Sequence, residues 1–168
     1  MHGLPSETRK SDKYSCRFKR FKWMAEFLKS VEELPHEKSE ALIKKCKLPD
    51  WLIGANSCAI RVSYSFIASG RKFNDIKKGE CNWAQVVNGD GDKYIIRVAT
   101  MRCYMESRKG PADIVSSSQS AFTGSKGLIV FQDCNFATAT GHVDLWDGSK
   151  CAGTCYFSNC SNIRLFKF

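Results

Sequence analysis

Two kinds of hydrophobic spacing divide this chain, and that division constrains its fold more than any other feature. The front half repeats apolar residues at helical intervals. Phe18, Phe21, Met24, Ala25, Leu28 and Val31 recur across residues 14–34, and Pro35 closes the run. A shorter helix is expected over 36–47, with Leu42, Ile43 and Cys46 on one side and Pro49 beyond. A third carries Ala59, Ile60, Val62, Ser63, Phe66 and Ile67 on a wide face of apolar and small residues. Asn56 or Ser57 can cap it, and Gly70 is placed to end it.

The back half reads as strands. Asn88-Gly89-Asp90-Gly91-Asp92 is a tight turn before a strand, Tyr94-Ile95-Ile96-Arg97-Val98, and a helix follows over Thr100–Lys109 until Gly110-Pro111 breaks it. Ser116 to Ser120 is a loop, and Leu128-Ile129-Val130-Phe131 is a short buried strand. From Gly141 to Trp146 the side chains alternate, with His142 and Asp144 facing one way and Val143 and Leu145 the other. Asp147-Gly148 signals a hairpin, and Cys155-Tyr156-Phe157 and Ile163-Arg164-Leu165-Phe166 read as closing strands. Helices first, then a mainly antiparallel sheet, is an α+β pattern. The 168 residues fit a single domain and contain no internal repeat or long linker.

Nine cysteines are an odd and dense set: Cys16, Cys46, Cys58, Cys81, Cys103, Cys134, Cys151, Cys155 and Cys160. One free thiol and up to four disulfides would use them all, which suits a secreted or periplasmic protein. Buried reduced thiols are the alternative for several of them. A zinc site is not expected, because two-residue ligand spacing is missing, and Asn88–Asp92 lacks the closing glutamate of a calcium loop. We therefore expect no metal and no other cofactor.

Cys58 stands apart because it opens the third helix. A thiol at a helix N-terminus meets the positive end of the dipole, which favours thiolate. To act as an acyl-transfer nucleophile it needs an imidazole beside it. There are three histidines. His2 is terminal and His36 lies between the front helices, so His142 is the natural base. The pair suggests a cysteine amidase or protease.

A net charge of +9 directs the protein toward polyanions such as nucleic acid, anionic membranes or cell walls. Much of it lies in Arg9, Lys10, Lys13, Arg17, Lys19, Arg20 and Lys22, with Phe18, Phe21 and Trp23 interleaved. A nucleic-acid partner is not expected, since no zinc finger, Gly-rich phosphate loop or aromatic sheet motif accompanies the charge. No stretch approaches the roughly 18 apolar residues of a membrane span. Residues 1–12 hold no apolar run, so no signal peptide is expected within this chain.

Several stretches together carry a resemblance. They are Asn56-Ser57-Cys58-Ala59-Ile60-Arg61-Val62-Ser63-Tyr64, Lys93-Tyr94-Ile95-Ile96-Arg97-Val98 and Gly110-Pro111-Ala112-Asp113-Ile114-Val115, followed by Gly127-Leu128-Ile129-Val130 and Gly141-His142-Val143-Asp144-Leu145-Trp146-Asp147-Gly148. In this order, across about residues 50–157, the chain resembles the fourth group of type VI secretion amidase effectors, papain-like cysteine enzymes related to the NlpC class of cell-wall hydrolases.

The resemblance implies a papain-like fold, with the nucleophile helix packed on the sheet. It implies a catalytic core over 51–168, preceded by a divergent helical extension over 1–50. It implies an antibacterial enzyme that cleaves peptidoglycan stem peptides between D-glutamate and diaminopimelate. Cys58 would be the nucleophile and His142 the general base, with helix-start amides holding the oxyanion. Cys151 and Cys155 would form the family's short disulfide. A bacterial effector delivered to a rival's periplasm would meet an immunity protein. A secreted antibacterial protein of a eukaryote that acquired the gene would not need one, and the divergent front and extra cysteines suit it.

One departure matters. The family's third catalytic member is an aspartate midway between the two cysteines of the short loop, and here that place holds Gly153. Asp144, two residues from His142 on the same strand face, could substitute. Asn159 or Asn162 is another option. Two other readings therefore stand beside the amidase: a peptidoglycan-binding homologue with weakened or lost activity, and a basic nucleic-acid-binding protein.

Overall fold

Three α-helices, three short 3-10 turns and six strands form the described part, residues 38–168, of this computed structural model. The helix expected over 14–34, the basic run Arg9 to Lys22, Cys16 and His36 lie outside the described residues.

Helix α1, Ser39–Lys45, buries Leu42 and Ile43, which its spacing places on one side. They pack with Leu48, Leu52, Ile60, Tyr94 and Ile96. Helix α2 spans Cys58–Ala68. Its buried face is the expected one with Ser65 added, and Ile67 is only half-buried. Gly70 ends it as expected. At φ +85 the Gly70 amide donates to the Ile67 carbonyl at 2.9 Å, and the Arg71 amide to that of Phe66 at 2.8 Å. This reversal needs a left-handed residue, which glycine adopts without penalty. Ser57 stands at the N-cap but makes no capping bond with its side chain. Asn56 does that work from one position earlier, its Oδ1 accepting the Cys58 amide at 3.1 Å.

Strands β1, Val86–Gly89, and β2, Asp92–Ile95, form a hairpin. Its turn residues Asp90 and Gly91 both have positive φ, as a twist-matched two-residue turn requires. Lysines engage the neighbouring acids: Lys47 holds Asp90 at 2.8 Å and Lys72 holds Asp92 at 2.7 Å. The strand expected over 94–98 stops at Ile95. Arg97 is still extended, but it caps helix α3, Val98–Lys109, so Val98 is helical. Inside α2, Ser63 is fully buried. Its hydroxyl donates to the Ile95 carbonyl and accepts the Ile95 amide, both at 3.0 Å, pinning α2 to β2.

The main sheet contains β3, Ile114–Ser116; β4, Gly127–Cys134; β5, Gly141–Trp146; and β6, Cys160–Lys167. Their order is β3-β6-β4-β5, and every pairing is antiparallel. Leu128, Val130, Val143 and Leu145 on one face pack against Ala59, Val62 and Phe66 of α2 and Met101 and Met105 of α3. Fully burying side chains such as Val62 and Phe66 contributes about 1.5–3 kcal/mol each. That packing holds the start of α2 at a fixed place beside the edge strand β5. Ile129, Phe131, Trp146, Ile163 and Leu165 pack on Phe122 as a separate cluster.

Cys155-Tyr156-Phe157 is not a strand but a loop running into a turn. Its rings are half-buried and pack edge-to-face, Phe157 on Phe131 at 5.3 Å and Tyr156 on Phe136 at 4.9 Å between centroids. The apolar character there serves ring packing. Three disulfides are present among the described residues: Cys81–Cys103, Cys134–Cys160 and Cys151–Cys155. Cys58 carries a free thiol.

Candidate active site

Cys58 is the first residue of α2 and only 9% exposed. Edge strand β5 brings His142 to it, and the alternation of the strand puts Asp144 on the same side as His142. The imidazole and Cys58 border the same cleft, close enough for the two groups to interact. The ring Nε2 lies 3.5 Å from Asp144 Oδ2. At that distance the carboxylate contact is longer than an ordinary charge-assisted hydrogen bond.

The side chains of His142 and Asp144 are 17% and 11% exposed. Burial on its own pushes the imidazole pKa down. The hydrogen bond the ring donates to Asp144, and then its interaction with Cys58, outweigh burial and raise it from 6.5 to about 9. A histidine titration followed by NMR should therefore show His142 half-protonated near pH 9, with a lower midpoint in Cys58→Ala. The folded value exceeds the unfolded one. The stabilisation it brings is thus complete below about pH 6.5 and lost as pH rises through about 9.

Asp144 is held from three directions. Its Oδ1 accepts the Leu145 amide at 2.7 Å, and its Oδ2 accepts the Gly153 amide at 3.0 Å while facing His142. A Cβ at Gly153 would lie 3.0 Å from that same Oδ2. The space a side chain would need at position 153 is already filled by the carboxylate of Asp144. The two asparagines are engaged elsewhere: Asn162 Nδ2 donates to Asp133 Oδ2 at 3.1 Å, and Asn159 Oδ1 accepts the Ser158 hydroxyl at 3.1 Å. Neither borders the cleft at Cys58.

The Cys151–Cys155 bridge closes the loop that carries Gly153. A loop this short is worth about 2 kcal/mol by chain entropy. Substituting both cysteines with alanine should lower Tm by roughly 4–8 °C in calorimetry and leave Cys58 open to a thiol probe.

Cys58 sits between two depressions. One, of about 420 Å³, is bordered by Arg61, His142, Asp144, Gly153 and Tyr156. The other, of about 370 Å³, is bordered by Gln85, Arg97, Thr100, Thr138 and Thr140. Asn56 borders both. The sequence reading overlooks Tyr156, whose ring meets that of His142 edge-to-face at 4.8 Å, and Arg97. Nothing in the local pattern of either residue marks it as part of a site.

An antiparallel sheet whose edge strand faces the first turn of a buried helix, with a cleft between, defines the papain-like, NlpC-type class of fold. The sequence profile of the type VI secretion system amidase effector protein 4 family matches residues 55–166, and the chain belongs to that family of antibacterial, peptidoglycan-hydrolysing effectors. Solved structures agree. The effector Tae4 from Salmonella typhimurium, in complex with the immunity Tai4 from Enterobacter cloacae, is 26% identical with a TM-score of 0.73, over 86% of this chain and 98% of that one. Tae4 from Enterobacter cloacae is 28% identical with a TM-score of 0.70, over 87% and 95% of the two chains. No curated protein sequence matches.

Proposed function

We propose that this chain is a cysteine amidase cutting the bond between D-glutamate and diaminopimelate in peptidoglycan stem peptides, with its catalytic core in residues 51–168. The contact line Cys58–His142–Asp144 beside a cleft carries the reading. Cys58 Sγ attacks the γ-carbonyl of D-glutamate with its proton already on His142, whose raised pKa keeps the ring protonated near neutral pH. Negative charge develops on the carbonyl oxygen next to the start of α2. The Cys58 amide is already bound to Asn56 Oδ1, so the side-chain NH₂ of Asn56, which borders both clefts, is the donor at hand there. His142 then passes the proton to the departing amine of diaminopimelate, leaving a thioester on Cys58. Water, deprotonated by His142, hydrolyses the thioester and restores the thiol. Asp144 orients the imidazole and balances its charge, in the role a loop aspartate fills elsewhere in the family.

The related effector Tae4 is paired with the immunity Tai4 in its complexes, and an immunity protein of that kind is the partner we expect here. The place of action is the periplasm of a target bacterium, where a net charge of +9 suits the anionic envelope.

Incubation with purified muropeptides, read by mass spectrometry, tests the reading. Fragments ending in D-glutamate and beginning with diaminopimelate are expected. Intact muropeptide, or cleavage at another bond, overturns it. Gly153 favours one second reading, a binding protein without turnover. That reading requires tight muropeptide binding and a Cys58 that a thiol probe does not label.

A further inference from the structure

We propose that Arg97 recognises the free α-carboxylate of the D-glutamyl residue, so that the enzyme selects stem peptides with D-glutamate over those with D-isoglutamine. This rests on the amidase reading above and names how that site chooses its substrate.

The two depressions beside Cys58 are not equivalent. His142 borders the first and not the second. The imidazole must hand its proton to the departing amine, so the leaving group belongs in the first cleft, next to the ring. The acyl group then extends from the sulfur into the second. In a γ-linked glutamyl residue the acyl side carries a carboxylate that takes no part in the peptide bond.

The second cleft is built to meet one. Among the residues that border it, Arg97 is the charged one; the polar rest are amides and hydroxyls, Asn56, Asn82, Gln85, Thr100, Thr138 and Thr140. Arg97 is exposed, and its Nε–H donates to Gln85 Oε1 at 3.1 Å, which orients the guanidinium without neutralising it. Other arginines are committed differently. Arg108 is paired with Asp75 and Glu80, Arg102 and Arg164 with Glu106, whereas no carboxylate among the described residues pairs with Arg97. Its two terminal nitrogens keep the forked geometry that suits a carboxylate. A cation with no acid beside it among the described residues favours an anionic group and disfavours its amide.

The experiment uses two synthetic muropeptides identical except for D-glutamate or D-isoglutamine. Wild type should cleave the D-glutamate form with kcat/KM roughly 10- to 150-fold higher, the range of a charge-assisted hydrogen bond. Arg97→Gln should bring the two substrates to within about threefold of each other by slowing the D-glutamate form, and Arg97→Lys should keep part of the preference. Unchanged thiol-probe labelling of Cys58 in the variants confirms an intact site. If wild type cuts both peptides equally, this inference fails and the amidase reading stands. If wild type cuts neither, the amidase reading itself fails.

Discussion

Replacing Cys58 with alanine should abolish muropeptide cleavage, a loss on the order of a million-fold in turnover, while the fold survives. The size of the effect follows from chemistry. No other thiol borders the cleft, and water alone at that carbonyl lacks the covalent route. The fold survives because alanine is a good helix former at a buried first-turn position, and the capping bond from Asn56 uses the backbone of residue 58 and not its sulfur. Product formed by Cys58→Ala at the wild-type rate would remove thiol chemistry altogether.

Asp144→Asn comes second. Turnover should fall by up to about four orders of magnitude, the cost of losing the orienting carboxylate in a well-studied serine-protease triad. The asparagine side chain has one acceptor atom, but three donors converge here: the amides of Leu145 and Gly153, and the ring of His142. At least one is left unmatched, and the ring loses the charge that raises its pKa. The alkaline limb of the pH–rate profile, set near 9 by His142, should therefore move to lower pH along with the loss in rate. A variant that retains both rate and profile would falsify the assignment of Asp144 as the orienting group.

Parts of this architecture are legible in the sequence because one physical signal dominates them. The alternation from Gly141 to Trp146 is plain because Val143 and Leu145 on one side of β5 pack into the core beside α2, and it puts His142 and Asp144 side by side on the other. Gly70 announces the end of α2 because the reversal needs positive φ. The short strands β1 and β3 leave no such trace. Three or four residues of mixed burial are too few to set up a period, and pairing, with β2 across a tight turn for β1 and with distant β6 for β3, is what makes them strands. Tyr156 and Phe157 look like a strand because aromatic rings suit strands and buried loops alike. Asn56 looks like a helix cap and is one, but its place between two clefts depends on loops far away in the chain. Arg97 is hidden for the same reason: the 138–141 loop that completes its cleft lies some forty residues on. The proposed exchange of roles between positions 144 and 153 is half visible. The missing loop aspartate can be read from the sequence, but not that a carboxylate from the strand already fills the space.

The Gly153 amide that steadies this carboxylate belongs to the main chain, and a peptide group offers the same N–H whatever residue carries it, proline excepted. What the bridged loop must preserve is therefore its length and closure, along with a position small enough to leave the acid in place. Residues such as Ala152 and Thr154 can drift in identity without moving the support of the imidazole. A site built in this way passes part of its chemical dependence from side chains to the path of the backbone.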